Sequence, residues 1–202
     1  MRVPARVYDR FSPTVRPGPY RIGDYLELSD PEERCELLNG YFYLSPAPTV
    51  AHQVVADALC RILHEIALVT GGLALSSPID VALGENTVCQ PDVVYLSKER
   101  RAFVGEARIE GAPDLLVEVL SPRTSRRDRI EKLRIYSGAG VCESWLVDPD
   151  GRTFEFLDLR DEHPVIRLAR EDVYASEIDP RIRIDVRSFW QAVDDRLGRS
   201  PR

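Results

Sequence analysis

The stretch 114–120 (DLLVEVL) constrains the fold more than any other part of this 202-residue chain. Its apolar residues predict a β-strand, and the alternation of side chains along a strand places Asp114 and Glu118 on one face. A strand of this composition is typically buried, and burying an unpaired carboxylate is costly. Glu118 therefore either forms a buried ion pair or serves as a metal ligand, and other parts of the chain must supply its partners.

Composition excludes several classes of protein. The apolar runs are only a few residues long, so we expect no membrane span, and the first residues lack the apolar segment of a signal peptide, so we expect a cytoplasmic protein. Four scattered cysteines and three dispersed histidines make a zinc site improbable and favour reduced, structural thiols. The formal net charge of −6 argues against a uniformly basic surface, although residues 121–136 hold six basic and two acidic side chains.

The chain divides into three parts. Residues 1–21 contain four prolines and no sustained periodicity, which predicts an extended N-terminal arm. Residues 22–197 form a single domain in this interpretation, and residues 198–202 form a tail. We also expect a homodimer, because the arm and the hairpin that follows it offer surfaces that two copies can exchange or pair.

Within the domain, helical and strand-like patterns alternate. Asn39-Gly40 between two apolar runs is a strong hairpin signal, and apolar residues recur at helical spacing from about 48 to 70. A helix after the 114–120 strand is expected to begin at a capping box, Ser125 to Asp128, and to end at the glycines around residue 139. Further strands are predicted over 73–83, 91–96, 141–147, 152–158, 165–168 and 181–185, before a short helix over 189–197. This order predicts an α/β or α+β fold with a mixed central sheet covered on both sides.

Three charged residues on neighbouring elements form the candidate site. Asp92 and Glu118 lie on strands that we expect to be adjacent, and two converging carboxylates suit Mg²⁺ or Mn²⁺. Lys132 lies about two turns into the next helix, from which its ammonium group can reach back over the end of the strand. Carboxylates, a divalent ion and a lysine are the groups that phosphodiester hydrolysis requires. A structural ion pair under a loop is the alternative, since charge networks also place carboxylates in such positions.

Other polar residues near this triad have weaker claims. Asp114 is interpreted as a strand-entry residue, Asp128 as the acid of the capping box, and Tyr136 as a packing residue that positions the lysine. His52 shares a helical face with apolar residues, which favours a hydrogen-bonded core histidine over a base, and Glu36 can point either into the cleft or into water. A basic flank is a candidate nucleic-acid contact or else a solvated helix face, and consists of Arg123, Arg126, Arg127 and Arg129.

The chain contains, in order, the motifs ELLNG, SPAPTVAHQVV, QPDVVYL and PDLLVEVLSPRTSRRDRIEKLRIYSGAGVCESWLVDPDG. In this succession it resembles the Uma family of restriction-endonuclease-like proteins, part of the PD-(D/E)XK nuclease superfamily, over roughly residues 22–190. The resemblance implies a restriction-endonuclease-like αβββαβ core and an Mg²⁺-dependent phosphodiesterase site. It does not fix the substrate, since members of the superfamily act on DNA and RNA, and our first hypothesis is an Mg²⁺- or Mn²⁺-dependent endonuclease that acts on DNA.

The resemblance also implies roles for individual residues. Asp92 corresponds to the strand aspartate, Glu118 to the acid of the (D/E)-x-K element and Lys132 to its lysine. In our hypothesis the Val119 carbonyl is a further metal ligand. Glu36 and His52 fall on family positions of less defined role. The chain departs from the superfamily pattern at Leu120, where the motif has lysine, so catalysis depends on Lys132 reaching the strand end. The alternative function is an inactive nuclease-fold domain that acts in nucleic-acid binding or protein assembly.

Overall fold

Two six-stranded sheets that pack against each other form the body of the computed structural model. The structure describes residues 15–16, 18–28, 34–45, 47–121, 128–161 and 163–199. The strands in these residues are β1 (Val15–Arg16), β2 (Cys35–Leu38), β3 (Tyr41–Leu44), β4 (Leu73–Ser76), β5 (Val81–Gly84), β6 (Thr87–Cys89), β7 (Val93–Leu96), β8 (Ile109–Glu110), β9 (Leu115–Val119), β10 (Glu143–Asp148), β11 (Thr153–Asp158), β12 (Val165–Arg167), β13 (Val173–Ala175) and β14 (Arg183–Asp185). The α-helices are α1 (Ile22–Leu28), α2 (Val50–Thr70), α3 (Leu133–Ala139) and α4 (Val186–Leu197), with a 3₁₀ turn at Glu99–Phe103 and a π-helical turn at Asp128–Lys132.

The central sheet has the order β12-β11-β10-β9-β7-β4. Its middle strands β9 and β10 run parallel, and the other neighbours are antiparallel. Helices α2 and α4 and the β13-β14 pair cover one face, while the second sheet and α3 cover the other. The expected mixed α/β architecture with a buried central strand is thus confirmed, since every residue of β9 is buried.

The second sheet has the order β1-β3-β2-β6-β5-β8 and carries the predicted hairpin. Asn39 and Gly40 have φ angles of 49° and 83°, so both turn residues lie in the left-handed region that a two-residue hairpin requires. Strand β1 pairs with β3 and covers the outer edge of this hairpin within the same chain. The remainder of the predicted arm, residues 1–14 and 17, lies outside the described residues.

Helix α2 packs on one face of the central sheet and carries His52, one of the candidate site residues. Its first turn is capped by Thr49, whose side chain accepts a hydrogen bond from the His52 backbone N–H at 3.2 Å. Gly71 ends the helix with a φ of 75°. The buried face carries Val55 and Leu59, which pack into the core beside the central sheet. The capping therefore fixes the turn that holds His52.

Two details differ from the predicted elements. The proposed capping residue Ser125 lies outside the described residues, and the described part of that helix begins with the π-helical turn at Asp128–Lys132. The sequence patterns also do not predict four short strands, β1, β6, β8 and β13, the last of which pairs with β14. The four cysteines have free thiols. No helix in the described residues is long and apolar enough to span a membrane.

Candidate functional site

The geometry of β7 and β9 brings Asp92 and Glu118 side by side. The two strands pair antiparallel with Val93 opposite Val117, and the backbone N–H of Asp92 donates to the Val117 carbonyl at 3.0 Å. The strands are neighbours in the sheet although the short β8, in the other sheet, lies between them in sequence. The strand register therefore makes Asp92 and Glu118 neighbours, as the sequence predicts.

Glu118 is held on the face of the central sheet that looks toward α3. Lys132 Nζ lies 2.9 Å from Glu118 Oε1, and the Tyr136 hydroxyl donates to the same oxygen. Both donors point to Oε1 and neither points to Oε2. Burial raises the pKa of Glu118 to about 8, reinforced by repulsion from nearby carboxylates and opposed by the attraction of Lys132.

Lys132 forms the centre of a buried cluster of acids. Its ammonium nitrogen is 2.8 Å from Glu36 Oε1, 2.9 Å from Glu118 Oε1 and 3.6 Å from Asp128 Oδ1, and its side chain is only 3% exposed. Glu36 is fixed in turn by the backbone N–H of Gln90, which donates to its Oε1 at 2.8 Å. Glu36 thus points into the cleft and not into water, the other direction that the sequence left open.

Asp92 is surrounded by three donors. The Val119 N–H donates to Asp92 Oδ2 at 2.8 Å, and His52 Nε2 lies 3.2 Å from the same oxygen. Arg34 Nη2 donates to the other oxygen, Oδ1, at 3.2 Å. Burial opposes ionisation of Asp92, but His52, Arg34 and the Val119 N–H outweigh it and hold the pKa of Asp92 below its ordinary value.

A cleft of about 500 Å³ opens over this cluster. Its walls include the charged residues described above together with His52 and Val119, and its lining also includes Ser45, Ser121 and Asp150. Five acidic side chains line it against one lysine and one arginine, so full ionisation leaves a net charge of −3. That excess suits a divalent cation.

The donor set also indicates which kind of cation fits. Within the described part of the chain, no three side chains of histidine, cysteine, aspartate or glutamate form a ready-made metal group. Mg²⁺ does not need one, because it keeps several waters and is commonly bound through one or two carboxylates and substrate phosphates. Asp92 and Glu118 could provide such a pair, and all-oxygen ligands suit Mg²⁺ or Mn²⁺ better than zinc.

The remaining predicted residues lie elsewhere. Asp114 accepts the Ser97 N–H at 2.6 Å and lies 3.3 Å from Arg100 Nε, at the end of β9 opposite the cleft. It therefore anchors the 3₁₀ turn, consistent with a strand-entry role. Arg129 forms an ion pair with Glu155 on β11. The other three predicted nucleic-acid contacts, Arg123, Arg126 and Arg127, lie outside the described residues.

Three residues near Glu118 and Asp92 have partners that the sequence does not indicate. Asp128, interpreted as a capping acid, is buried beside Lys132, and its i, i+4 spacing to the lysine was the available signal. The Tyr136 hydroxyl donates to Glu118, the partner of Lys132, and the positioning of the lysine by Tyr136 stays a prediction. Arg34 was overlooked, because a charged residue before a strand carries no local signal of a long-range partner.

Comparison with known proteins gives a consistent result. A family model described as "Putative restriction endonuclease" (Uma2) matches residues 22–182. A crystal structure of "a putative nuclease belonging to DUF820" from Anabaena variabilis has the same fold, with a TM-score of 0.73 at 16% identity, and the alignment covers 87% of this chain and 99% of that one. No curated protein matches the chain.

Proposed function

The chain belongs to the Uma2 family of restriction-endonuclease-like proteins, and on that premise we propose that it is a divalent-metal-dependent endonuclease that acts on DNA. The observation that carries the proposal is the arrangement of Asp92, Glu118 and Lys132 in one cleft with an excess of negative charge. The family description supports nucleic-acid cleavage, and the word "restriction" in it favours DNA over RNA.

Asp92 and Glu118 are the residues that would hold the cation, together with the Val119 carbonyl. A bound Mg²⁺ or Mn²⁺ supplies Lewis-acid polarisation of a phosphate oxygen and a more acidic water. The protein contributes anchoring, because each carboxylate has one oxygen fixed by hydrogen bonds from strand or helix groups. Second-sphere donors of this kind orient ligands and tune their basicity.

Lys132 supplies the positive charge of the protein at the reacting group. Glu36 and Asp128 hold the ammonium group in the cleft, so its position does not depend on Glu118 alone. We assign it two tasks, which are to orient the attacking water and to offset negative charge that develops on the phosphate oxygens. We assign to Lys132, on the π-helical turn just before α3, the role that the superfamily motif gives to a lysine at position 120.

A nicking assay tests this proposal. Supercoiled plasmid and a structured RNA are incubated with Mg²⁺ or Mn²⁺ and with wild type, Glu118→Ala, Lys132→Ala and the control Glu85→Ala, whose side chain is exposed on the second sheet. We expect cation-dependent nicking of plasmid by wild type and by the control, and a loss of about 10²-fold or more in the other two variants. Equal digestion by all four proteins would reject the site, and cleavage of RNA alone would reject the DNA assignment.

One observation favours a second function, that of an inactive nuclease-fold domain. Lys132 is 3% exposed and engaged by buried acids, and Leu120 occupies the motif position of the catalytic lysine. A closed network of buried ion pairs can also have a purely structural role. Calorimetric titration with Mn²⁺ separates the two functions, because an inactive domain that lost its metal site shows no binding that depends on Asp92 and Glu118.

A further inference from the structure

The two carboxylates of the site share a pattern of anchoring. Glu118 receives both its donors on Oε1, and Asp92 receives the Val119 N–H and His52 on Oδ2. These donors sit on a helix or a strand and are part of the fold. The remaining oxygen of Asp92, Oδ1, contacts a different kind of partner, the flexible side chain of Arg34 at 3.2 Å.

Arg34 differs from the other partners in exposure as well. The Arg34 side chain lines the cleft and is 26% exposed, whereas the Asp92 side chain is 6% exposed. Its Nη2 also donates to the Gln90 carbonyl at 3.1 Å, and its own carbonyl accepts the Ser45 N–H at 2.9 Å. The backbone of Arg34 is thus hydrogen-bonded to the residue that follows the β2-β3 hairpin, and its guanidinium group lines the cleft.

From this geometry we propose that Arg34 occupies the cation position of Asp92 in the cation-free protein and becomes a phosphate-binding residue when a divalent cation replaces it. The inference rests on the proposed function and extends it to a residue that neither the sequence nor the family description assigns. The ion pair with Arg34 offsets the cost of burying the charge of Asp92.

Displacement by a cation would move the guanidinium group away from Asp92 while keeping it at the cleft. The Gln90 carbonyl would continue to hold it, and the ion pair with Asp92 would be lost because Asp92 would then hold the cation. A guanidinium group presents paired N–H donors that match two phosphate oxygens. Cation loading therefore converts Arg34 from an internal counter-ion into a contact for the substrate backbone.

Calorimetry with Mn²⁺ alone tests the first half of the proposal. Arg34→Ala should bind Mn²⁺ about fivefold more tightly than wild type, since the cation no longer displaces a partly exposed ion pair. Arg34→Lys, which keeps the charge, should lie between them, and Arg61→Ala, which removes an exposed arginine paired with Asp57, should bind as wild type does. Unchanged or weaker binding by Arg34→Ala, or an equal gain in Arg61→Ala, overturns the proposal.

Thermal melting shows whether Arg34→Ala acts at the metal site or only lowers the stability of the fold. Without cation, Arg34→Ala should melt below wild type, and saturating Mn²⁺ should raise its melting temperature by more than it raises that of wild type. A parallel deficit with and without Mn²⁺ overturns the proposal. If Mn²⁺ binding by wild type does not depend on Asp92, both the metal-dependent function and the role of Arg34 are rejected. If wild type binds Mn²⁺ through Asp92 but Arg34→Ala has no effect, only the role of Arg34 is rejected.

Oligonucleotide binding tests the second half. Fluorescence anisotropy with a labelled DNA duplex, in a Lys132→Ala background that suppresses cleavage, compares proteins with and without Arg34→Ala. The loss of one charge-assisted phosphate contact should weaken binding about tenfold with Mn²⁺ present and leave it unchanged in EDTA. An equal loss in both conditions, or none in Mn²⁺, contradicts the conversion of Arg34 from counter-ion to phosphate contact.

Discussion

Replacement of Lys132 by methionine is the most informative single perturbation of this cleft. Methionine retains the apolar stem of the lysine but removes the ammonium group that lies within 4 Å of Glu36, Glu118 and Asp128. Removing one partner from a buried ion network costs about 3–5 kcal/mol, because the remaining charges stay buried without compensation. Access to the cleft lets water and protonation recover part of that cost, so we expect the lower end, about 3 kcal/mol.

For a domain of this size, a loss of about 3 kcal/mol corresponds to a fall in melting temperature of about 6–12 °C. Differential scanning calorimetry of Lys132→Met at neutral pH measures it, and the same protein should lose about 10²-fold or more in plasmid nicking. Lys98→Met, at an exposed lysine before the 3₁₀ turn, is the matched control and should change neither. If Lys132→Met melts within about 1 °C of wild type, the ammonium group does not hold the acids together, and the reasoning fails.

Three further predictions follow from other parts of the structure. His52→Ala should reduce nicking about 10- to 100-fold because it removes a partner of Asp92, and His64→Ala on the exposed side of α2 should have no effect. The pKa of Asp158 is lowered by hydrogen bonds from Arg160 and Arg167, so its stabilising contribution is present above the unfolded-state pKa of about 4 and is lost as pH falls below it. Asp158→Asn should therefore lower the melting temperature at pH 7 and lose less stability than wild type upon acidification, and equal losses would contradict the assignment. The predicted homodimer should give twice the chain mass of 22.9 kDa by light scattering, and a monomeric mass at working concentration would remove it.

Local sequence signals were sufficient to predict the framework of the site. The alternation of apolar residues around Glu118, and the strand that follows Asp92, place both acids on neighbouring strands, because adjacent buried strands of a sheet come into register. The turn at Asn39-Gly40 and the boundaries of α2 follow from φ preferences and capping, which are properties of a few consecutive residues.

The composition of the cluster could not be predicted in the same way. Glu36 reaches Lys132 because β2 pairs with β6 and places the Gln90 N–H beside it, a contact across more than fifty residues. Arg34 reaches Asp92 over a similar separation. A sequence pattern reports which face of an element is apolar, but the partner of a charged side chain depends on how distant elements pack.

The role of Tyr136 illustrates the same limit at shorter range. Its position one helical turn after Lys132 indicates a shared face, and both side chains do reach the same carboxylate oxygen. Sequence spacing does not show whether the hydroxyl group serves the lysine or its partner. Burial and the neighbouring Glu118 raise the pKa of Tyr136, so the hydroxyl remains protonated and acts as a donor to Glu118.

The central claim is that Asp92 and Glu118 bind one divalent cation together. Anomalous diffraction at the manganese edge, from crystals soaked in Mn²⁺, tests it most directly. We predict a single strong peak in the cleft, contacted by Asp92, Glu118 and the Val119 carbonyl, that disappears in Asp92→Asn and is accompanied by movement of Arg34 away from Asp92. A cleft with no anomalous peak at a Mn²⁺ concentration that supports nicking, or a peak bound by neither carboxylate, would contradict the account.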